Sequence, residues 1–123
     1  MALNNLLVPG KLLTTQDGTK YAYIHIPPRS SSSEPTLLLL HGFPSSSYDW
    51  RFQINFLSER GYGVIAPDLL GYGDTDKPSE PEQYKFKKMA GHLVEILGKE
   101  GVEKVVGVGH DWYVDILFRG IGA

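Results

Sequence analysis

An aspartate at the end of a short apolar strand, inside a tight turn, is placed to act as a nucleophile. The segment Gly109-His110-Asp111-Trp112-Tyr113 follows the apolar run at 104–108, and after it Val114, Leu117, Phe118 and Ile121 recur at helical spacing. Strand, sharp turn and helix with a reactive residue at the apex is the nucleophile elbow. It exposes the apex side chain above the sheet and aims the next backbone N–H, here that of Trp112, at the reacting atom. The apex residue is Asp111. A carboxylate needs no base to activate it, so it can attack a saturated carbon and form an ester with the protein. Two other readings stand beside this one. Gly107-Val108-Gly109 opens like a dinucleotide fingerprint, but the third glycine of that pattern would fall at position 112, which is Trp. Asp111 can also be no more than the cap of the last helix.

A second segment, His41-Gly42-Phe43-Pro44, follows the apolar run at 36–40. Gly42 lets the chain turn close to a ligand. The backbone N–H of Phe43 can then point into the site as a second oxyanion donor. Pro44 stiffens the turn. The alternative is an ordinary exit from a strand, with His41 a satisfied structural residue. The third segment is Asp68-Leu69-Leu70-Gly71-Tyr72-Gly73, leading to Asp74, Asp76 and Lys77. Its glycines are not followed by Gly-Lys-Ser or Gly-Lys-Thr, so it is a poor phosphate loop. Asp68 and the two glycines are expected to fix loop geometry beside the site, and Asp74 and Asp76 to be solvated rather than to hold a metal.

These segments need a frame. Residues 11–15 and 20–26 are predicted strands joined at Asp17-Gly18, a strong hairpin signal. Residues 27–35 form a polar connector. Residues 36–40 and 62–66 lack polar alternation and are predicted as strands buried on both faces, the mark of a parallel sheet covered by helices. Helices are predicted at 48–60, with Trp50, Ile54 and Leu57 on one face, and at 82–98, with Phe86, Met89, Leu93 and Leu97 inward. Gly61 is expected to end the first, and Gly98 and Gly101 the second. A strand at 104–108 and a helix from near Trp112 complete the alternation. The fold class is α/β: an antiparallel hairpin, then parallel strands alternating with helices. Ligands bind beyond the carboxyl ends of such strands, where all three segments fall.

Composition narrows the functions. Twelve basic and 14 acidic residues give a net charge of −2, with no basic patch for nucleic acid or for an anionic membrane. There is no cysteine, which excludes thiolate nucleophiles and disulfides. Residues 1–10 have no basic start, and two Asn and a Pro break their apolar run, so no signal peptide is expected. The apolar run Leu37 to Leu40 is far too short to span a bilayer. A cytoplasmic location is the default.

The three segments, in this order and spacing, resemble the α/β-hydrolase superfamily and, within it, the epoxide hydrolase branch. The resemblance runs from about residue 10 to 112. It implies that Asp111 opens an epoxide, that the N–H groups of Phe43 and Trp112 hold the oxyanion while water cleaves the ester, and that His41, Gly42, Pro44, Gly109 and His110 support the two motifs. It implies a small apolar epoxide or related molecule as substrate, and neither metal nor organic cofactor. Haloalkane dehalogenases also attack from an Asp followed by Trp. Many of them place a polar side chain at the position of Phe43 to hold the halide, so Phe43 favours an epoxide. Two features depart from the pattern. The position two after the nucleophile is small in the family and here is Tyr113, whose side chain is expected to point away from the preceding strand or to distort the elbow. The cap, its proton-donating tyrosines, the second acid and the water-activating histidine come later in the family, so residues 1–123 are expected to be the N-terminal part of a single core domain, without cap or C-terminal half. His25, His41, His92 and His110 are expected to be non-catalytic, His92 exposed on its helix. On this reading turnover is absent, and the rival function is a catalytically dead remnant.

Overall fold

The computed structural model describes residues 10–30, 34–42 and 45–110. Five strands, β1 (Lys11–Thr14), β2 (Lys20–Ile26), β3 (Thr36–Leu40), β4 (Gly63–Pro67) and β5 (Val105–Gly109), form one sheet in the order β1-β2-β4-β3-β5. β1 and β2 are an antiparallel hairpin, and β2 runs antiparallel to β4. β3 lies between β4 and β5 and is parallel to both. Two helices follow: α1 (Arg51–Glu59) connects β3 to β4, and α2 (Phe86–Lys99) connects β4 to β5.

The strand order explains the layers. From β3 the chain moves one way to β4, then returns past β3 to β5. Crossovers between parallel strands are right-handed, so reversing direction puts the two helices on opposite faces. The core divides accordingly. Leu38 and Leu40 of β3, Ile65 of β4 and Tyr21 and Tyr23 of β2 pack with Met89, Leu93 and Ile96 of α2. Leu39, Val64, Ala66 and Ile24 pack with Ile54 of α1. Alternate residues of one strand thus serve two cores. This is why the uninterrupted run at 36–40 was needed, and every residue of β4 is buried. Each fully buried leucine contributes about 1.5–3 kcal/mol.

Local chemistry sets the element ends. The first hairpin turns at Gly18, whose φ of 91° lies in the left-handed region. Asp17 Oδ1 accepts from the Thr19 N–H (3.1 Å) and from the Thr15 and Thr19 hydroxyls (2.6 and 2.7 Å). Both helices end with a glycine at positive φ, Gly61 and Gly101. In each the following N–H reaches back into the last turn, Tyr62 to the Leu57 carbonyl at 3.1 Å and Val102 to the Leu97 carbonyl at 2.9 Å. Gly98 stays inside α2, contrary to its expected role as a terminator. The predicted helices begin later than their apolar pattern. Residues Ser47–Trp50 and Pro81–Tyr84 are 3-10 turns ahead of α1 and α2. The strands predicted at 62–66 and 104–108 lie one residue further on. The helix expected from near Trp112 is outside the described residues. Among the described residues no helix is long and apolar enough to cross a membrane.

Candidate active site

The parallel register carries two of the three segments to one place. Leu40 pairs with Gly109. One residue beyond, the His110 N–H donates to the Leu40 carbonyl at 3.1 Å. The chains leaving β3 and β5 therefore start side by side at the carboxyl edge of the sheet. They are close enough that a methyl group on Gly42 would overlap the His110 ring, with Cε1 at 3.0 Å and Cγ at 3.1 Å. His110 is itself exposed. Of the predicted site residues, His41, Gly42, Gly109 and His110 come together here. Phe43, Pro44, Asp111 and Trp112, and with them Tyr113, lie outside the described residues.

His41 ties the end of β3 to the end of β4. It is fully buried. Its Nε2 accepts the Leu69 N–H at 2.9 Å, and its Nδ1 lies 2.9 Å from its acceptor, the Gly42 carbonyl. Only the neutral ring with its proton on Nδ1 makes both bonds. The Tyr72 ring meets it edge-on at 5.6 Å. Burial pushes the imidazole below its ordinary 6.5, outweighing the Gly42 carbonyl and the carboxylates of Asp68 and Asp49, which act the other way. Burial also lowers His25. For both groups the folded state prefers the neutral ring, so between the lowered value and 6.5 the unfolded chain binds more protons. Their stabilisation is complete above about 6.5 and is lost as pH falls. The melting temperature is expected to be flat above pH 7 and to fall from about 6.5 downward. His41→Asn should flatten part of that fall, and an unchanged pH profile would assign the fall to other groups.

Asp68 organises the third segment. Its side chain is buried, with Oδ1 accepting the Ser47 N–H at 2.8 Å and Oδ2 the Asp74 N–H at 3.0 Å. The Thr75 hydroxyl donates to the Asp68 carbonyl at 2.5 Å. Gly73, at a φ of 56°, passes so close that a side chain there would strike the carboxylate, with Oδ1 at 2.8 Å. The loop then runs along β2. The Asp68 N–H donates to the Ala22 carbonyl, the Ala22 N–H to the Thr75 hydroxyl, and the Asp76 N–H to the Lys20 carbonyl, at 2.9, 3.0 and 2.9 Å. Asp76 is exposed as expected, yet it is not merely solvated: Oδ2 accepts the Lys20 N–H at 2.8 Å. Ser47 and Thr75 were not singled out in the sequence. An Asp followed by glycines and a Thr within eight residues is the available signal, but the Ser47 bond joins residues 21 apart and has no local trace.

The histidines are otherwise engaged. His92 corrects its expected exposure: it is 3% exposed. Its Nε2 lies 2.7 Å from Asp17 Oδ2 and its Nδ1 3.0 Å from the Tyr21 hydroxyl. This chain of contacts fastens the hairpin turn to α2. The bonds from Thr15, then from His92 and Thr19, hold the Asp17 carboxyl well below the usual carboxylate range. His92→Leu is expected to cost about 1–3 kcal/mol by removing its bonds to Asp17 and Tyr21. Urea titration with no change in midpoint would contradict this. His25 Nδ1 lies 3.0 Å from Glu100, which also accepts from Lys11 Nζ (3.1 Å) and the Tyr23 hydroxyl (2.5 Å). Burial raises the Glu100 carboxyl, but the Tyr23 and Lys11 bonds and the charges of His25 and Lys11 leave it lowered.

Comparison with known proteins agrees with this arrangement. The profile of the alpha/beta hydrolase fold family matches residues 35–112. Epoxide hydrolase 3 of Siraitia grosvenorii is 53% identical over 83 residues, 68% of this chain and 26% of that protein. Epoxide hydrolase A of Mycobacterium tuberculosis is 45% identical over 85 residues, 69% and 26% of the two. Among solved structures, a mutant of a Vigna radiata epoxide hydrolase superposes with a TM-score of 0.80 at 36% identity, covering 91% of this chain and 33% of that one. The chain thus spans about a quarter of the length of the curated relatives it matches.

Proposed function

We propose that this chain, which belongs to the alpha/beta hydrolase fold family, carries the nucleophile half of an epoxide-opening site, with Asp111 as nucleophile. A carboxylate oxygen of Asp111 attacks an epoxide carbon. The C–O bond of the ring breaks, the ring oxygen takes a proton from an acid, and a hydroxyalkyl ester of the protein remains. The backbone N–H groups of Phe43 and Trp112 stabilise the oxyanion when water later attacks the ester carbonyl. His41, Gly42, Pro44, Gly109 and His110 support the two motifs. The substrate is a small apolar epoxide, since Phe43 offers a wall and no hydrogen bond.

The observation that carries this reading is the pairing of Leu40 with Gly109 on adjacent parallel strands. It supports a shared site for the segments that continue into Phe43 and Asp111. The names of the relatives favour epoxide over halide. Incubation with a reactive styrene-type epoxide, followed by peptide mass spectrometry, tests it. The expected result is an ester on Asp111 that is lost in Asp111→Asn. Alkylation spread over other carboxylates, or unchanged in the variant, would remove Asp111 from the role.

A further inference from the structure

We propose that His110 is a positioning residue, whose ring rests on the bare backbone of Gly42 and sets the gap between the chains leaving β3 and β5. The inference rests on the reading of Asp111 only for its effect on rate. The contact itself stands on described residues. The ladder between β3 and β5 ends with the His110 N–H on the Leu40 carbonyl. Immediately beyond it the His110 ring fills the space that a side chain at 42 would need. His110 is exposed, so burial of its own surface does not explain a ring lying there. Gly42 has no positive φ, so backbone conformation does not require glycine at 42. Among the described residues, what a side chain at 42 would strike is the ring.

A gap of this kind matters because donors of an oxyanion hole act only when they lie about 2.7–3.1 Å from one oxygen. One such donor would follow Gly42 and the nucleophile would follow His110. A spacer fixed by van der Waals contact holds that distance more tightly than backbone hydrogen bonds alone, because close-packed atoms resist compression. The ring serves as a flat spacer; neither nitrogen needs to exchange a proton.

Four variants of the full chain test this: Gly42→Ala, His110→Ala, the double variant, and His110→Phe, which keeps a flat ring. The first readout is hydrogen exchange of the residue-110 amide, which does not depend on catalysis. Gly42→Ala should speed exchange at least tenfold by pushing the ends apart, and His110→Ala in the same chain should reverse most of that. The second is epoxide alkylation. His110→Ala should slow the rate at saturating epoxide about tenfold and move the half-saturating concentration less than twofold, while His110→Phe stays within threefold of the parent. Additive effects of Gly42→Ala and His110→Ala on exchange would overturn the contact. A His110→Phe rate as low as that of His110→Ala would overturn the spacer role. If the parent chain forms no adduct, the nucleophile reading fails, and exchange still decides whether ring and glycine set the gap.

Discussion

Given an excess of a styrene-type epoxide, the 123-residue chain is expected to gain at most one adduct per molecule and to release no diol beyond that. Alkylation needs a carboxylate, an approach path and an acid to protonate the ring oxygen. Release needs a base to activate water at the ester carbonyl, a contribution of about 10²–10⁴-fold. Three of the four described histidines are occupied elsewhere. His41 is buried, with its Nε2 lone pair taken by the Leu69 N–H. His92 lies between Asp17 and Tyr21, and His25 against Glu100. Using any of the three as a base would first require breaking a contact that holds strands, turn or helix together. His110 rests against Gly42. Intact-mass analysis against time, with diol measured in parallel, checks this. Sustained diol release abolished by Asp111→Ala would show that one of these rings leaves its partners to take a proton from water.

The largest loss of stability is expected from Asp68→Ala, at about 3–6 kcal/mol. Two N–H donors, of Ser47 and Asp74, lose a charged acceptor, each such bond being worth about 1.5–3 kcal/mol. A domain of this kind is stable by only about 5–15 kcal/mol in total, so the variant should lose a large share of its margin and unfold at clearly lower denaturant. Gly73→Ala should act through the same point from the other side, by driving a methyl into the carboxylate at an unfavourable φ. Denaturant titration measures both. A loss under 1 kcal/mol for Asp68→Ala would mean that the loop is held by β2 alone.

Much of the frame was legible because its signals are local. The unbroken apolar runs of β3 and β4, the Asp17-Gly18 turn and the glycines after α1 and α2 each act within a few residues. The starts of the helices were less legible, since the apolar spacing continues through the 3-10 turns at Ser47–Trp50 and Pro81–Tyr84. The expected exposure of His92 came from placing it opposite Ala90 and Leu97 on its helix, whereas it is buried. Its spacing from Met89 and Ile96 puts it on the buried stripe, and what makes burial tolerable is Asp17, a partner 75 residues earlier that no window contains. At the site, the motifs indicated that the β3 and β5 ends belong together. They did not indicate that His41 would bond across to Leu69, because that depends on the register of two strand ends.

The position of β3 has a consequence in time. Its inner edge is covered by β4, whose first residue is 27 positions after Thr36 (63 − 36). Its outer edge waits for β5: Leu40 and its partner Gly109 are 69 positions apart (109 − 40). At a synthesis rate of about 5–20 residues per second, that edge stays open for about 3–14 s after Leu40 is made. During that interval a strand of four consecutive leucines has one side of its backbone unpaired, the condition under which chains recruit one another. A nascent chain of this sequence is therefore expected to be most prone to association before its fifth strand arrives.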